Sequence, residues 1–175
     1  MRGKGVSDLD LSQLYDDIMK KTNHSVDILF KMDYEELMAV GLKVKFYWYQ
    51  IGSGGFLNSF FSTVAYHLED RRWGSRFPVI MNDLYKGMVA VEDVPQAISE
   101  LHIIEKELKK FSPNQVIWDI EDLSKRPPWG DDISADITSL SNYFVTNEGK
   151  DLLATFCRAL EKAQEVNSAT ELLSK

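Results

Sequence analysis

The stretch LKVKFYWYQI, residues 42–51, decides the fold class. Leu42, Val44, Phe46 and Trp48 fall on one side of a period-two pattern, and Lys43, Lys45, Tyr47 and Tyr49 on the other. That is the alternation of a half-buried β-strand, and its β-branched and aromatic residues favour extended backbone. GSGG at 52–55 ends it. The period then changes: Phe56, Leu57, Phe60, Phe61, Val64, Ala65 and Leu68 recur at helical spacing, predicting a helix to about residue 69 with one side buried.

Outward from this strand and helix, RRWGSR is a loop, and FPVIMNDLY with MVAV flanks KG like the two arms of a hairpin. Asp93 and Pro95 start a helix striped by Val94, Ala97, Ile98, Leu101, Ile104 and Leu108, with Lys109 and Lys110 at its C-terminal end. SPN leads into QVIWDI, which reads as a strand. Ile133, Ile137, Leu140 and Phe144 predict a short helix, and Thr146 is placed to cap a last one carried by Leu152, Leu153, Phe156 and Leu160. Before the strand, Leu11, Leu14, Tyr15 and Ile18, then Val26, Leu29, Phe30, Tyr34 and Leu37, form two helical patterns broken near NHS at 23–25. The expectation is an α+β domain over 38–166, a small mixed or antiparallel sheet covered by helices. A helical N-terminal extension over 1–37 precedes it, and a frayed tail over 167–175 follows.

Composition narrows the function. The 175 residues are 44% hydrophobic and 11% aromatic, enough for one packed core. Acidic residues outnumber basic ones 27 to 20, a net charge of −7, which argues against nucleic acid as the partner and favours a basic protein. The lone cysteine, Cys157, excludes an internal disulfide and a multi-cysteine zinc site. MRGKGVSDLDLSQ lacks the apolar core of a secretory signal, and no apolar run is long enough to cross a bilayer, so no membrane role and a cytoplasmic location are expected.

Candidate chemistry is sparse. The glycines of GSGGF stand where a phosphate cradle would, but the dinucleotide spacing and the P-loop Lys-Ser/Thr are missing, and a tight turn accounts for them. Cys157 lies on an apolar-periodic helix beside Phe156, the setting of a small core residue. His24, His67 and His102 are scattered, with no partner at metal-ligand spacing.

The remaining feature is WDIEDLSKRPPWGDD, residues 118–132. On a strand, Asp119 and Glu121 would share a face and could jointly hold a hard cation; a metal-dependent hydrolase also needs a lysine close behind, and Lys125 points elsewhere unless the loop folds back. The binding reading uses more of the residues. Pro127 and Pro128 restrict the backbone and would present Trp129 on a stiff segment, and Trp and Arg are frequent interface anchors. Between 119 and 136 there are six carboxylates against two cations, a net charge of −4 that would attract a basic partner. The alternative is that Trp129 packs over the sheet while the carboxylates cap loops. The candidate contact residues are Asp119, Glu121, Asp122, Arg126, Trp129, Asp131 and Asp132.

VGLKVKFYWYQIGSGGFLNSFFSTVAYHLE, WGSRFPVIMNDLYKG and VIWDIEDLSKRPPWGDDISADITSLSNYFVT together resemble the bacterial immunity protein 70 family, over most of residues 40–164. The most specific pieces are Phe56–Thr63 and Trp118–Gly130. The resemblance implies an immunity protein of a polymorphic toxin system, encoded beside its toxin and protecting the producing cell in contact-dependent competition. It implies tight binding without catalysis or cofactor, and a basic toxin such as a nuclease suits the charge. The contact residues above come from the physical reading, not from the family. Residues 1–37 fall outside the resemblance. EELM at 35–38 is encodable as GAGGAG, a leucine codon and ATG, so one expectation is that Met38 is the native start or a second one. The other is a genuine helical extension.

Overall fold

The computed structural model describes residues 38–175, and the extension expected over 1–37 lies outside the described residues. Four antiparallel strands form one sheet in the order β2-β1-β4-β3: β1 (Ala39–Val44), β2 (Tyr47–Ser53), β3 (Met88–Val89) and β4 (Thr170–Ser174). Three long helices accompany it: α1 (Gly54–Leu68), α2 (Val94–Leu108) and α3 (Leu152–Glu165). The fold is α+β, and the sheet is antiparallel.

The alternation at 42–51 belongs to a hairpin, not to one strand. The chain turns at Lys45, whose φ is +51°, and Phe46 stands fully exposed at the tip. Because partners directly opposite share a face, Leu42 sides with Tyr49 and Val44 with Tyr47, whereas Trp48 sides with Lys43. The expected grouping of Phe46 and Trp48 with Leu42 is therefore corrected. The two-residue turn shifts the alternation by one position, since Val44 lies opposite Tyr47, and the unbroken run of apolar and aromatic residues does not reveal that shift. Gly41 is needed here: a Cβ on it would lie 2.3 Å from the Trp48 indole, which crosses it closely. The Lys175 ammonium covers the same indole at 4.0 Å.

Ser53 caps α1, its hydroxyl accepting from the Phe56 N–H at 3.1 Å. The helix is buried beyond its apolar stripe, because Ser59, Ser62 and Thr63 are buried too. Their hydroxyls explain a second correction. QVIWDI is not a strand: Ser59 and Thr63 donate to the Ile117 carbonyl at 2.9 and 3.2 Å, and the Ile117 and Ile120 N–H groups donate to Thr63 and Ser62 at 3.1 Å. Helix side chains thus supply the partners that a neighbouring strand would otherwise provide.

The hairpin expected over FPVIMNDLY and MVAV is also replaced. Val79–Leu84 forms a wide π-helical turn, and only Met88–Val89 is extended. Two buried carboxylates organise this segment. Glu69 accepts from the N–H groups of Gly74, Arg76 and Phe77, and Glu100 from those of Val79 and Ile80. The helix expected through Ile133–Phe144 is absent. There, the Asn142 side-chain oxygen accepts from the N–H groups of Thr138 and Ser139, favouring turns over helix. Asp151 rather than Thr146 caps α3, accepting from the Ala154 N–H at 2.8 Å. Thr146 instead accepts from the Lys150 N–H in the turn before it.

The tail expected to fray holds β4, an inner strand of the sheet. Leu172 pairs with Leu42 on one side, and Thr170 pairs with Val89 on the other. Beneath the sheet, Phe60 meets Phe61, Phe144 and Phe156 edge-on, with centroids 5.4, 5.5 and 5.6 Å apart. Each such fully buried ring contributes about 2 kcal/mol through removal from water.

Candidate functional site

Residues 117–136 leave the α1 surface as a run of tight turns. Backbone bonds from Asp122 to Asp119, Lys125 to Asp122, Gly130 to Pro127 and Asp132 to Trp129 close it at 2.9 to 3.3 Å. Trp118 and Pro127 are buried, at the start and in the middle of the run. Gly130 has φ +57°, a left-handed conformation that glycine adopts without steric cost.

Trp129 is held and exposed at once. Its ring stands perpendicular to Trp118 at 5.5 Å, its indole N–H donates to the Tyr143 hydroxyl at 2.9 Å, and 39% of its surface stays open to solvent. Both sequence readings of Trp129 thus describe part of it: one edge packs on the core, and the remainder is presented. The Tyr143 pKa is raised, mainly by burial, with the bond from Trp129 acting the other way and the nearby Asp131 charge adding to the rise.

The carboxylates divide into two groups. Asp119 is committed to the loop, one oxygen accepting from the Glu121 N–H at 3.0 Å and the other from the Lys125 ammonium at 2.9 Å. Asp122 accepts from both the N–H and the hydroxyl of Ser124, at 3.0 and 2.6 Å, and these bonds hold its pKa below the usual carboxylate value. Glu121, Arg126, Asp131 and Asp132 are exposed. The premise that Asp119 and Glu121 share a strand face is corrected, since no strand forms there. Lys125 does return to Asp119, because the loop folds back. Among the described residues, no group of three or more His, Cys, Asp and Glu is placed to hold a metal ion.

Outside the loop stand Cys157 and His67. Cys157 is half-buried at the wall of a groove of about 720 Å³ lined also by His102, Glu105, Asn142 and Asp151. Burial, and then the charges of Glu161, Glu105 and Asp151, push its thiol up to about 11, so it stays protonated and a poor nucleophile. His67 bonds to the Gln115 carbonyl through Nε2 at 2.7 Å and lies against Phe111, fixing the start of the 117–136 loop to α1.

Charge concentrates on this loop. Residues 38–175 contain 19 acidic and 15 basic side chains, a net of −4, and the 119–136 stretch carries that same net charge by itself. The rest of the described chain is balanced. Sequence reasoning missed Tyr143, whose hydroxyl orients Trp129 from 14 residues away. It carries no local signal, because only folding brings it beneath the loop.

Among the described residues, no helix is long and apolar enough to cross a membrane. A family model described as Immunity protein 70 matches residues 42–172. No curated protein and no solved structure matches the chain.

Proposed function

The chain belongs to the immunity protein 70 family, and from that premise we propose that it binds and blocks a toxin domain of a polymorphic toxin system made by the same cell. It acts in the cytoplasm by occlusion, not catalysis, and neither nucleic acid nor membrane is its partner. The contact surface is the turn-locked loop bearing Glu121, Arg126, Trp129, Asp131 and Asp132, with Asp119 and Asp122 holding its shape. The carrying observation is that this one loop holds a net charge of −4 beside a half-exposed Trp129. Pre-ordered turns leave little entropy to lose on docking, and concentrated negative charge speeds encounter with a basic partner. A nuclease suits this best, because its nucleic-acid cleft is already lined with cations.

The test is survival of cells expressing the toxin domain encoded beside this gene, supplied with residues 1–175 or 38–175. Rescue by either form supports the reading, and rescue by the long form alone makes residues 1–37 part of the functional unit. Death with both forms soluble and folded sinks it. In the purified complex, D131N and D132N together should slow association and flatten its salt dependence.

A further inference from the structure

Beside Trp129 the fold opens a notch of about 240 Å³. Its floor is the buried pair Phe56 and Tyr143, and Ile137 forms a half-buried wall. Its rim combines Trp129 and Val145, exposed by 39% and 41%, with the exposed carboxylate residue Asp132. Three separate segments of the chain build it: the start of α1, the 129–137 turns and the 143–145 stretch. The backbone around it is fixed by the turn from Trp129 to Asp132 and by the Trp129–Tyr143 bond.

An apolar cleft with a carboxylate at its mouth selects for a long side chain that is greasy along its stem and cationic at its end. Arginine matches more fully than lysine, since a guanidinium stacks on an aromatic face and forks onto a carboxylate. We propose that this notch receives an arginine side chain of the toxin, its stem along Ile137 and Val145, its guanidinium against Trp129 and Asp132. The inference rests on the toxin-binding reading and adds the anchor residue type and its seat. Charge complementarity argues for this occupant: Asp132 lies at the mouth, inside the segment that carries the net charge of −4. A wholly apolar anchor would leave Asp132 desolvated and unpaired at the rim.

The experiment uses the ¹⁵N-labelled full chain with N-acetyl-arginine amide as probe and the isosteric neutral N-acetyl-citrulline amide as control. Arginine amide is expected to shift the Trp129 indole N–H and the Val145 amide in a saturable way, and citrulline amide is not. V145R, which places a competing cation on the rim, should abolish the shifts and weaken toxin binding by about tenfold, the loss of one good anchor. V145T, which keeps the shape, should retain both, guarding against misfolding as the cause. Equal shifts with citrulline, or arginine shifts spread over the acidic surface without saturation at the notch, overturn the proposal. Toxin bound equally by wild type and V145R overturns it too, while leaving the toxin-binding reading intact. Failure of wild type to bind the toxin at all defeats that reading instead, and the proposal built on it.

Discussion

The indole of Trp129 stands perpendicular to that of Trp118, with ring centroids 5.5 Å apart. One ring is buried and belongs to the core, and the other is its exposed extension, so the candidate binding surface is braced directly by the fold. Edge-to-face pairs of this kind contribute about 0.5–1.5 kcal/mol beyond their burial.

Replacing Trp129 by Ala should therefore cost about 1–2 kcal/mol of stability and a larger share of toxin affinity. Y143F should cost about 1 kcal/mol or less, by removing the acceptor of the indole N–H without opening a cavity. Urea unfolding and calorimetric titration of both variants separate the two effects. A W129A chain that binds as tightly as wild type removes Trp129 from the interface.

Glu69 is fully buried and accepts three backbone N–H groups, from Gly74, Arg76 and Phe77. E69A should destabilise the chain by roughly 3 kcal/mol, because each buried donor left without a partner costs about 1–3 kcal/mol. The turn before the π-helical segment should loosen first, which amide hydrogen exchange at Phe77 would report. Unchanged exchange there would contradict this account.

Arg76 grips Glu107 with two bonds of 2.8 and 2.9 Å. The Arg76 hydrogen bond is the largest cause of a lowered Glu107 pKa, acting against burial. The folded-state value thus lies below the unfolded one. The contribution is present above the unfolded carboxylate pKa and fades as pH falls through the folded value. It is small, because the Arg76 side chain is 43% exposed and solvent screens the pair. Wild type should exceed E107Q in stability near neutral pH, and the gap should close in acid. A gap that is constant or widens in acid would be evidence against the pair as its source.

Removing residues 170–175 deletes β4, which bridges β1 and β3. The truncated chain should lose cooperative unfolding and expose the edge of β1, a hazard for aggregation. Circular dichroism during heating checks this. A sharp transition at the wild-type temperature would mean that β4 is dispensable.

How much was legible beforehand follows from the reach of each signal. The α1 stripe from Phe56 to Leu68, the Asp93-Pro95 start of α2 and the Leu152–Leu160 face of α3 were readable, since each packs one face against the core. QVIWDI and FPVIMNDLY misled because their apolar pattern reports burial alone. Their backbone partners are side chains: Ser59, Ser62, Thr63 and Glu100 lie 20 to 58 residues away, and Glu69 reaches Phe77 across eight. In the candidate site, the acidic count and the proline-stiffened Trp129 were visible. The return of Lys125 to Asp119 and the support from Tyr143 were not.

By itself the sequence determined the helices that bury a continuous stripe, the placement of net charge and the family to which residues 42–172 belong. These depend on local periodicity and on residue identity along the chain. Only the tertiary structure decided that TELLS, five residues at the far end, lies between the first strand and the third. It also decided that Phe56, Trp129 and Val145 meet around one notch. A strand this short draws its stability from partners far away in the chain, and a cleft exists only where separate segments converge, so neither leaves a periodic mark in sequence.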